Sequence, residues 1–185
     1  MAGSIHVVCG EMYSGKSQEL ARLIERATIA DRRVMIFYPT LSERDSTRDI
    51  VSRLQHLKPV VICPVAYDVD WSRVDISRFD TIALDEAQFF SNAVVDAVKD
   101  WRQAGKMVLI SGLDLDVHEE PFGPMGDLLC LANTVAKLHA VCVDCKGQDS
   151  AISYRMTNQD EQIVVGESEY IPLCFDCYYR RKSAH

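Results

Sequence analysis

Residues 10–17 are Gly10, Glu11, Met12, Tyr13, Ser14, Gly15, Lys16 and Ser17, a full G-x-x-x-x-G-K-[ST] pattern. An apolar run precedes it and a helix-like stretch follows, the strand–loop–helix setting in which this pattern cradles phosphate. In that setting backbone N–H groups point inward at an anion, and the helix N-terminus adds its positive dipole end. The two glycines permit the turn, Lys16 reaches the β- and γ-phosphates, and the Ser17 hydroxyl ligates Mg²⁺. The plainer alternative is a glycine turn with an exposed lysine. The flanking strand and helix favour a nucleoside triphosphate site.

A second pair, Asp85-Glu86, ends the apolar run 79–84 and begins Asp85-Glu86-Ala87-Gln88-Phe89. A carboxylate at the C-terminal end of a buried strand, in a chain with a phosphate loop, suits a Mg²⁺ partner. Asp85 takes that role, through water, because Mg²⁺ sheds its hydration shell reluctantly. Glu86 is then the candidate base that accepts a proton from an attacking hydroxyl. The alternative is that the two acids cap a following helix. The letters D-E-A-Q also occur in nucleic-acid helicases. Those need two ATPase lobes, and this chain has room for one.

Four of the seven cysteines form two C-x-x-C knuckles, Cys142/Cys145 and Cys174/Cys177. Four thiolates satisfy tetrahedral Zn²⁺ and leave no open position, so such a zinc is structural. A lone redox dithiol would leave the second knuckle unexplained. Zinc would tether both ends of residues 146–173 as a loop over a ligand. Cys9, Cys63 and Cys130 lie in apolar segments and read as small buried thiols.

These groups must be positioned by a frame, and the frame is legible. Apolar, mostly β-branched runs at 5–9, 34–38, 60–63, 79–84, 107–111 and 136–141 suit strands buried on both faces. Helix-like segments fall at 18–30, 92–104 and 126–132. The alternation predicts an α/β fold, a parallel sheet flanked by helices. Residues 40–58 are polar without a clear period and read as a loop or irregular helix. From Cys142 the pattern changes to short polar segments, which sets a boundary near Ala140: a nucleotide-binding domain at 1–140 and a zinc-binding one at 141–185.

At 185 residues and 48% hydrophobic, the chain can bury one substantial core with a small appendage. The net charge of −7 disfavours non-specific binding to a nucleic-acid polymer. Residues 1–9 lack the basic start and long apolar stretch of a signal peptide, and no apolar run approaches membrane-spanning length. A soluble, cytoplasmic protein is expected.

Further along, Gly112-Leu113-Asp114, Pro121-Phe122-Gly123 and Val165-Gly166-Glu167-Ser168-Glu169-Tyr170 appear in order, the last ahead of Cys174. With the phosphate loop, Asp85-Glu86-Ala87-Gln88-Phe89 and the two knuckles, the series resembles the cellular (type II) thymidine kinase family, with its P-loop (RecA-like) domain and its zinc-ribbon domain carrying a lasso loop. The resemblance covers nearly the whole chain. It implies ATP- and Mg²⁺-dependent transfer of the γ-phosphoryl group to the 5′-hydroxyl of thymidine or deoxyuridine, with Glu86 as catalytic base and structural Zn²⁺ on the four cysteines. Residues 10–17, Asp85 and Gln88 then serve ATP and Mg²⁺. Met12, Phe89, Leu113 and Phe122 line the nucleoside pocket, Ser153 and Tyr170 lie near base and sugar, and backbone around Val165 and Gly166 reads the pyrimidine edge. A homotetramer without nucleic-acid or membrane partners is also implied. Ser42 replaces an aspartate common in the family two residues before Arg44, Val117 replaces an aromatic, and His118 stands near a site often held by arginine or another polar residue. Ser42 and Val117 motivate an alternative: a nucleotide-binding regulator of the same fold with weak or altered kinase activity.

Overall fold

A computed structural model describes residues 2–40, 54, 57, 60–156 and 169–183. Six strands form one sheet in the order β3-β2-β4-β5-β1-β6: β1 (Ser4–Cys9), β2 (Val34–Pro39), β3 (Val60–Val65), β4 (Thr81–Leu84), β5 (Met107–Gly112) and β6 (Thr134–Lys137). Every pairing is parallel. Parallel neighbours need crossovers, and α1 (Lys16–Ile29), α2 (Ala93–Gln103) and α3 (Met125–Leu131) supply three of them.

Strand alternation explains why the sheet is apolar on both sides. Val34, Ile36, Ala83 and Leu109 face one way and pack with Leu20, Ala21, Ile24 and Ala27 of α1. Phe37, Ile82, Leu84, Val108 and Ile110 face the other way and pack with Val94, Val98 and Trp101 of α2 and Met125 and Leu128 of α3. Trp71, in a 3-10 turn at Trp71–Arg73, meets Phe37, Phe90 and Trp101 edge-on, with ring centroids 5.3, 5.5 and 5.4 Å away. This aromatic knot fastens the segment between β3 and β4, together with Phe90 just after β4, to the sheet.

Several boundaries differ from the sequence reading. The last strand of the sheet is Thr134–Lys137 rather than 136–141. The ladder ends where Leu138 N–H bonds the Cys9 carbonyl at 2.8 Å, and residues 138–141 leave the sheet. α1 starts at Lys16, two residues early, because the phosphate loop is itself the start of the helix. Residues 41–53, Ser42 and Arg44 among them, 55–56 and 58, within the stretch read as irregular, lie outside the described residues, as does Pro59 just beyond it. The C-terminal region carries regular structure that the sequence reading left as short polar segments. β7 (Ile152–Arg155) and β8 (Tyr170–Leu173) pair antiparallel, and α4 (Phe175–Lys182) follows. Their core is separate: Cys142, Ile152, Leu173, Cys174, Cys177 and Tyr178.

Candidate active site

In a parallel sheet all C-terminal strand ends lie at one edge, where α/β proteins bind ligands. β5 lies between β1 and β4, so the loops after Cys9, Leu84 and Gly112 emerge side by side. That places the phosphate loop, the Asp85-Glu86 pair and the Gly112-Leu113-Asp114 segment in one region.

The phosphate loop is closely built. Gly10 has φ 137°, and a Cβ there would stand 2.1 Å from the Leu138 carbonyl oxygen, so a side chain would force the backbones apart. The Glu11 carbonyl accepts from Ser14 Oγ and from Lys16 Nζ, each at 2.7 Å. Among the described residues no side chain caps the N-terminus of α1, leaving its first amides for an anion. Lys16 is buried, which pulls its pKa below 10.5, while Glu86, Glu11, Asp85 and Asp114 pull it back up. A buried ammonium amid four carboxylates is a charge poised for a ligand. Tyr13, at φ 65° and more than half exposed, sits on the outside of the loop, and Ser17 follows Lys16 in the first turn of α1.

Asp85 is 1% exposed, and neither of its oxygens makes a hydrogen bond of normal geometry among the described residues. Burial, then the neighbouring Glu86, pushes its pKa up to about 8; the nearby Glu86 N–H and Ser111 hydroxyl only partly offset this. Such a carboxylate, buried with few polar partners, is suited to hold a further cation. Glu86 adopts the left-handed conformation, φ 51° and ψ 45°, uncommon for a residue with a Cβ. Gln88 holds it there: Gln88 Nε2 donates to Glu86 Oε2 at 2.6 Å, and Gln88 Oε1 accepts from the Leu113 amide at 3.0 Å. Both ends of the Gln88 amide are thus engaged within the protein.

Beside Glu86 lies a small apolar cluster of Phe89, Leu113 and Phe122 with Met12 against it; the two phenylalanine rings meet edge-on at 5.5 Å. Ser153 Oγ accepts from the Met12 amide at 2.9 Å, bringing β7 to the phosphate loop. Register sets Tyr170 opposite Arg155, whose Nη2 donates to the Tyr170 hydroxyl at 3.0 Å. Val165 and Gly166 lie outside the described residues.

The cysteine Sγ atoms all lie within 4.8 Å of one another, with Cys145 and Cys174 at 3.9 Å. Thiolates about 2.3 Å from a tetrahedral ion stand about 3.8 Å apart, so the quartet fits Zn²⁺. At Cys142 burial raises the thiol's pKa, but N–H groups of Cys145, Cys174 and Asp144 outweigh it and bring the pKa down to about 6, favouring the ligating thiolate. From this site α4 reaches back to the Gly112–Gly123 region: Tyr178 Oη donates to the Val117 carbonyl at 3.1 Å and Tyr179 Oη to Glu119 at 2.5 Å.

A sequence model described as thymidine kinase matches residues 3–178. The chain belongs to the thymidine kinase family. A thymidine kinase of Bacteroides thetaiotaomicron is 40% identical over 181 residues, covering 97% of this chain and 89% of that protein. One from Porphyromonas gingivalis is 41% identical over 182 residues, covering 98% and 87%. One from a Rhodothermus species is 35% identical, covering 95% and 81%. The crystal structure of the flagellar accessory protein FlaH from Methanocaldococcus jannaschii aligns with a TM-score of 0.53 at 15% identity, covering 74% of this chain and 71% of that one. That likeness is one of fold.

Within this thymidine kinase fold, three polar residues escaped the sequence reading. Asp114, quoted in a motif without a role, is buried and pairs with Lys137 Nζ at 2.7 Å. Ser150, 1% exposed, touches Glu11. Arg155 stands two residues beyond Ser153 on the same face of β7, a period-2 signal that could have revealed it. The His118 backbone amide donates to Asp116 Oδ1 at 2.8 Å. Among the described residues no helix is long and apolar enough to cross a membrane.

Proposed function

We propose that this chain is an ATP-dependent thymidine kinase, transferring the γ-phosphoryl group of ATP to the 5′-hydroxyl of thymidine or deoxyuridine. The observation that carries this reading is the convergence of the buried Lys16 ammonium with Asp85 and Glu86 at one sheet edge, next to the apolar cluster of Phe89, Leu113 and Phe122. The phosphate-loop amides hold the triphosphate, and Lys16 moves from the Glu11 carbonyl to the β- and γ-phosphate oxygens. Asp85 and Ser17 would hold Mg²⁺, which supplies positive charge across those phosphates. Glu86 accepts the 5′-hydroxyl proton as the new O–P bond forms and the bond to the β-phosphate oxygen breaks, releasing ADP. No covalent enzyme intermediate is needed, so positioning and electrostatics provide the acceleration.

Phe89, Leu113, Phe122 and Met12 sandwich the pyrimidine and sugar, and Tyr170 with Ser153 closes the other side. Backbone at 165–170, including Val165 and Gly166, reads the base edge; a peptide offers both donors and acceptors to a buried pyrimidine. Cys142, Cys145, Cys174 and Cys177 would hold Zn²⁺, which would brace this second unit, beginning near Ala140. The family resemblance supports a homotetramer acting in the cytoplasm without a nucleic-acid or membrane partner.

A panel of deoxynucleosides with ATP and Mg²⁺, scored for monophosphate, tests the reading. Thymidine and deoxyuridine are the expected acceptors. Tight binding of ATP and thymidine without turnover would instead favour a regulator of the same fold. Glu86→Gln should lower turnover by about 10²-fold or more while ATP still binds; near-normal turnover would remove Glu86 as base. Lys16→Ala should abolish productive ATP use.

A further inference from the structure

Glu11 is the one acidic side chain within the phosphate loop, yet it is 3% exposed and turns away from solvent. Its Oε1 accepts from the Ala140 amide at 2.6 Å and from the Ser150 hydroxyl. Ser150 is also tied to Ala140, donating its amide to the Ala140 carbonyl at 2.8 Å and accepting from the Ala140 amide at 3.1 Å through Oγ. Glu11 Oε2 faces His139 Nδ1 at 3.7 Å, while that nitrogen lies 2.9 Å from the Ser150 carbonyl. The residues joined to Glu11 therefore flank the first cysteine pair on both sides. Meanwhile the Glu11 carbonyl is where Lys16 Nζ rests.

We propose that Glu11 is a positioning residue for the nucleotide: its carboxylate pins the phosphate loop to residues 139–150, setting the loop's shape before ATP arrives. The proposal rests on reading residues 10–17 as the ATP site. A loop held by its own hydrogen bonds need not be ordered by the ligand, and affinity falls by the fraction of time it is misplaced. Two buried hydrogen bonds lost together set the scale at about tenfold or more in affinity.

The test is direct titration of ATP, without nucleoside, into the zinc-loaded wild type, Glu11→Ala, Glu11→Gln, Ser150→Ala and the double alanine variant. Zinc content and binding stoichiometry are measured alongside. Glu11→Ala should weaken ATP about tenfold or more at full stoichiometry. Glu11→Gln, which keeps an acceptor for Ala140 and Ser150, should recover most of the loss. Ser150→Ala should weaken ATP in the same direction, and the double variant should bind no worse than Glu11→Ala, because both act through one contact. An irreversibly misfolded fraction would lower stoichiometry rather than affinity, and a thermal unfolding midpoint well above the titration temperature excludes reversible unfolding as the cause of a weaker affinity; should Glu11→Ala fail to fold, Glu11→Gln and Ser150→Ala carry the test. Wild-type affinity in Glu11→Ala, or in Ser150→Ala where that variant must stand in for it, overturns the proposal. So do losses that simply add. A wild type that binds ATP but phosphorylates no nucleoside would sink the kinase reading and leave this one standing.

Discussion

Replacing Asp85 with asparagine should make the ligand-free protein more stable and disable it as an enzyme. The carboxylate's pKa is raised from 3.8 to about 8 by burial and by Glu86. Between those values the folded protein holds a proton that the unfolded chain has shed. Stability therefore falls as pH rises from about 4 to about 8, and the asparagine variant escapes that slope. At pH 7, some three units above the ordinary pKa, the ceiling on the penalty is about 4 kcal/mol, at roughly 1.4 kcal/mol per unit. An asparagine amide must itself find partners in the same buried place, so about half is a realistic gain. Some 2 kcal/mol corresponds to a rise of about 4–8 °C in Tm for a chain of this size. The assay is thermal unfolding of both proteins in magnesium-free buffer at pH 4.5, 6 and 8. The expected gap is small at pH 4.5 and widest at pH 8. Adding ATP with Mg²⁺ should stabilise the wild type more than the variant. A gap independent of pH would mean that packing, not charge, sets it, and a less stable variant at pH 8 would refute the reasoning outright.

Gln88→Ala frees Glu86 from its hydrogen bond, and kcat should fall about tenfold or more while KM for ATP changes little, by steady-state kinetics. Gly123 has φ +54°, and a Cβ there would stand 2.4 Å from the Gln88 carbonyl oxygen. Gly123→Ala should cost about 1–3 kcal/mol in urea unfolding and lower kcat together with it. Cys177→Ser should release zinc, read by metal analysis, and weaken the hold of α4 on Val117 and Glu119; amide exchange in residues 113–122 should quicken.

Local chemistry made much of this protein readable in one dimension. A phosphate loop is a backbone shape written by Gly10, Gly15 and the residues between, and a buried parallel strand is written by an unbroken apolar run. Two cysteine knuckles specify a metal by ligand type and spacing alone. Strand ends drift by a few residues because hydrogen-bond ladders stop where a partner stops, as β6 does beyond Lys137. The pairing of β7 with β8 is hard to read from sequence because the strands are four residues each and stand far apart in the chain. Polar partnerships were the hardest to foresee. Nothing in the order of residues says that Glu11 will meet Ser150, that Gln88 will spend both ends of its amide on Glu86 and Leu113, or that Asp85 will be buried with no hydrogen bond of normal geometry to its oxygens among the described residues. Those facts depend on which strand lies beside which and how deeply each group is buried, and burial is what turns an ordinary carboxylate into a shifted one.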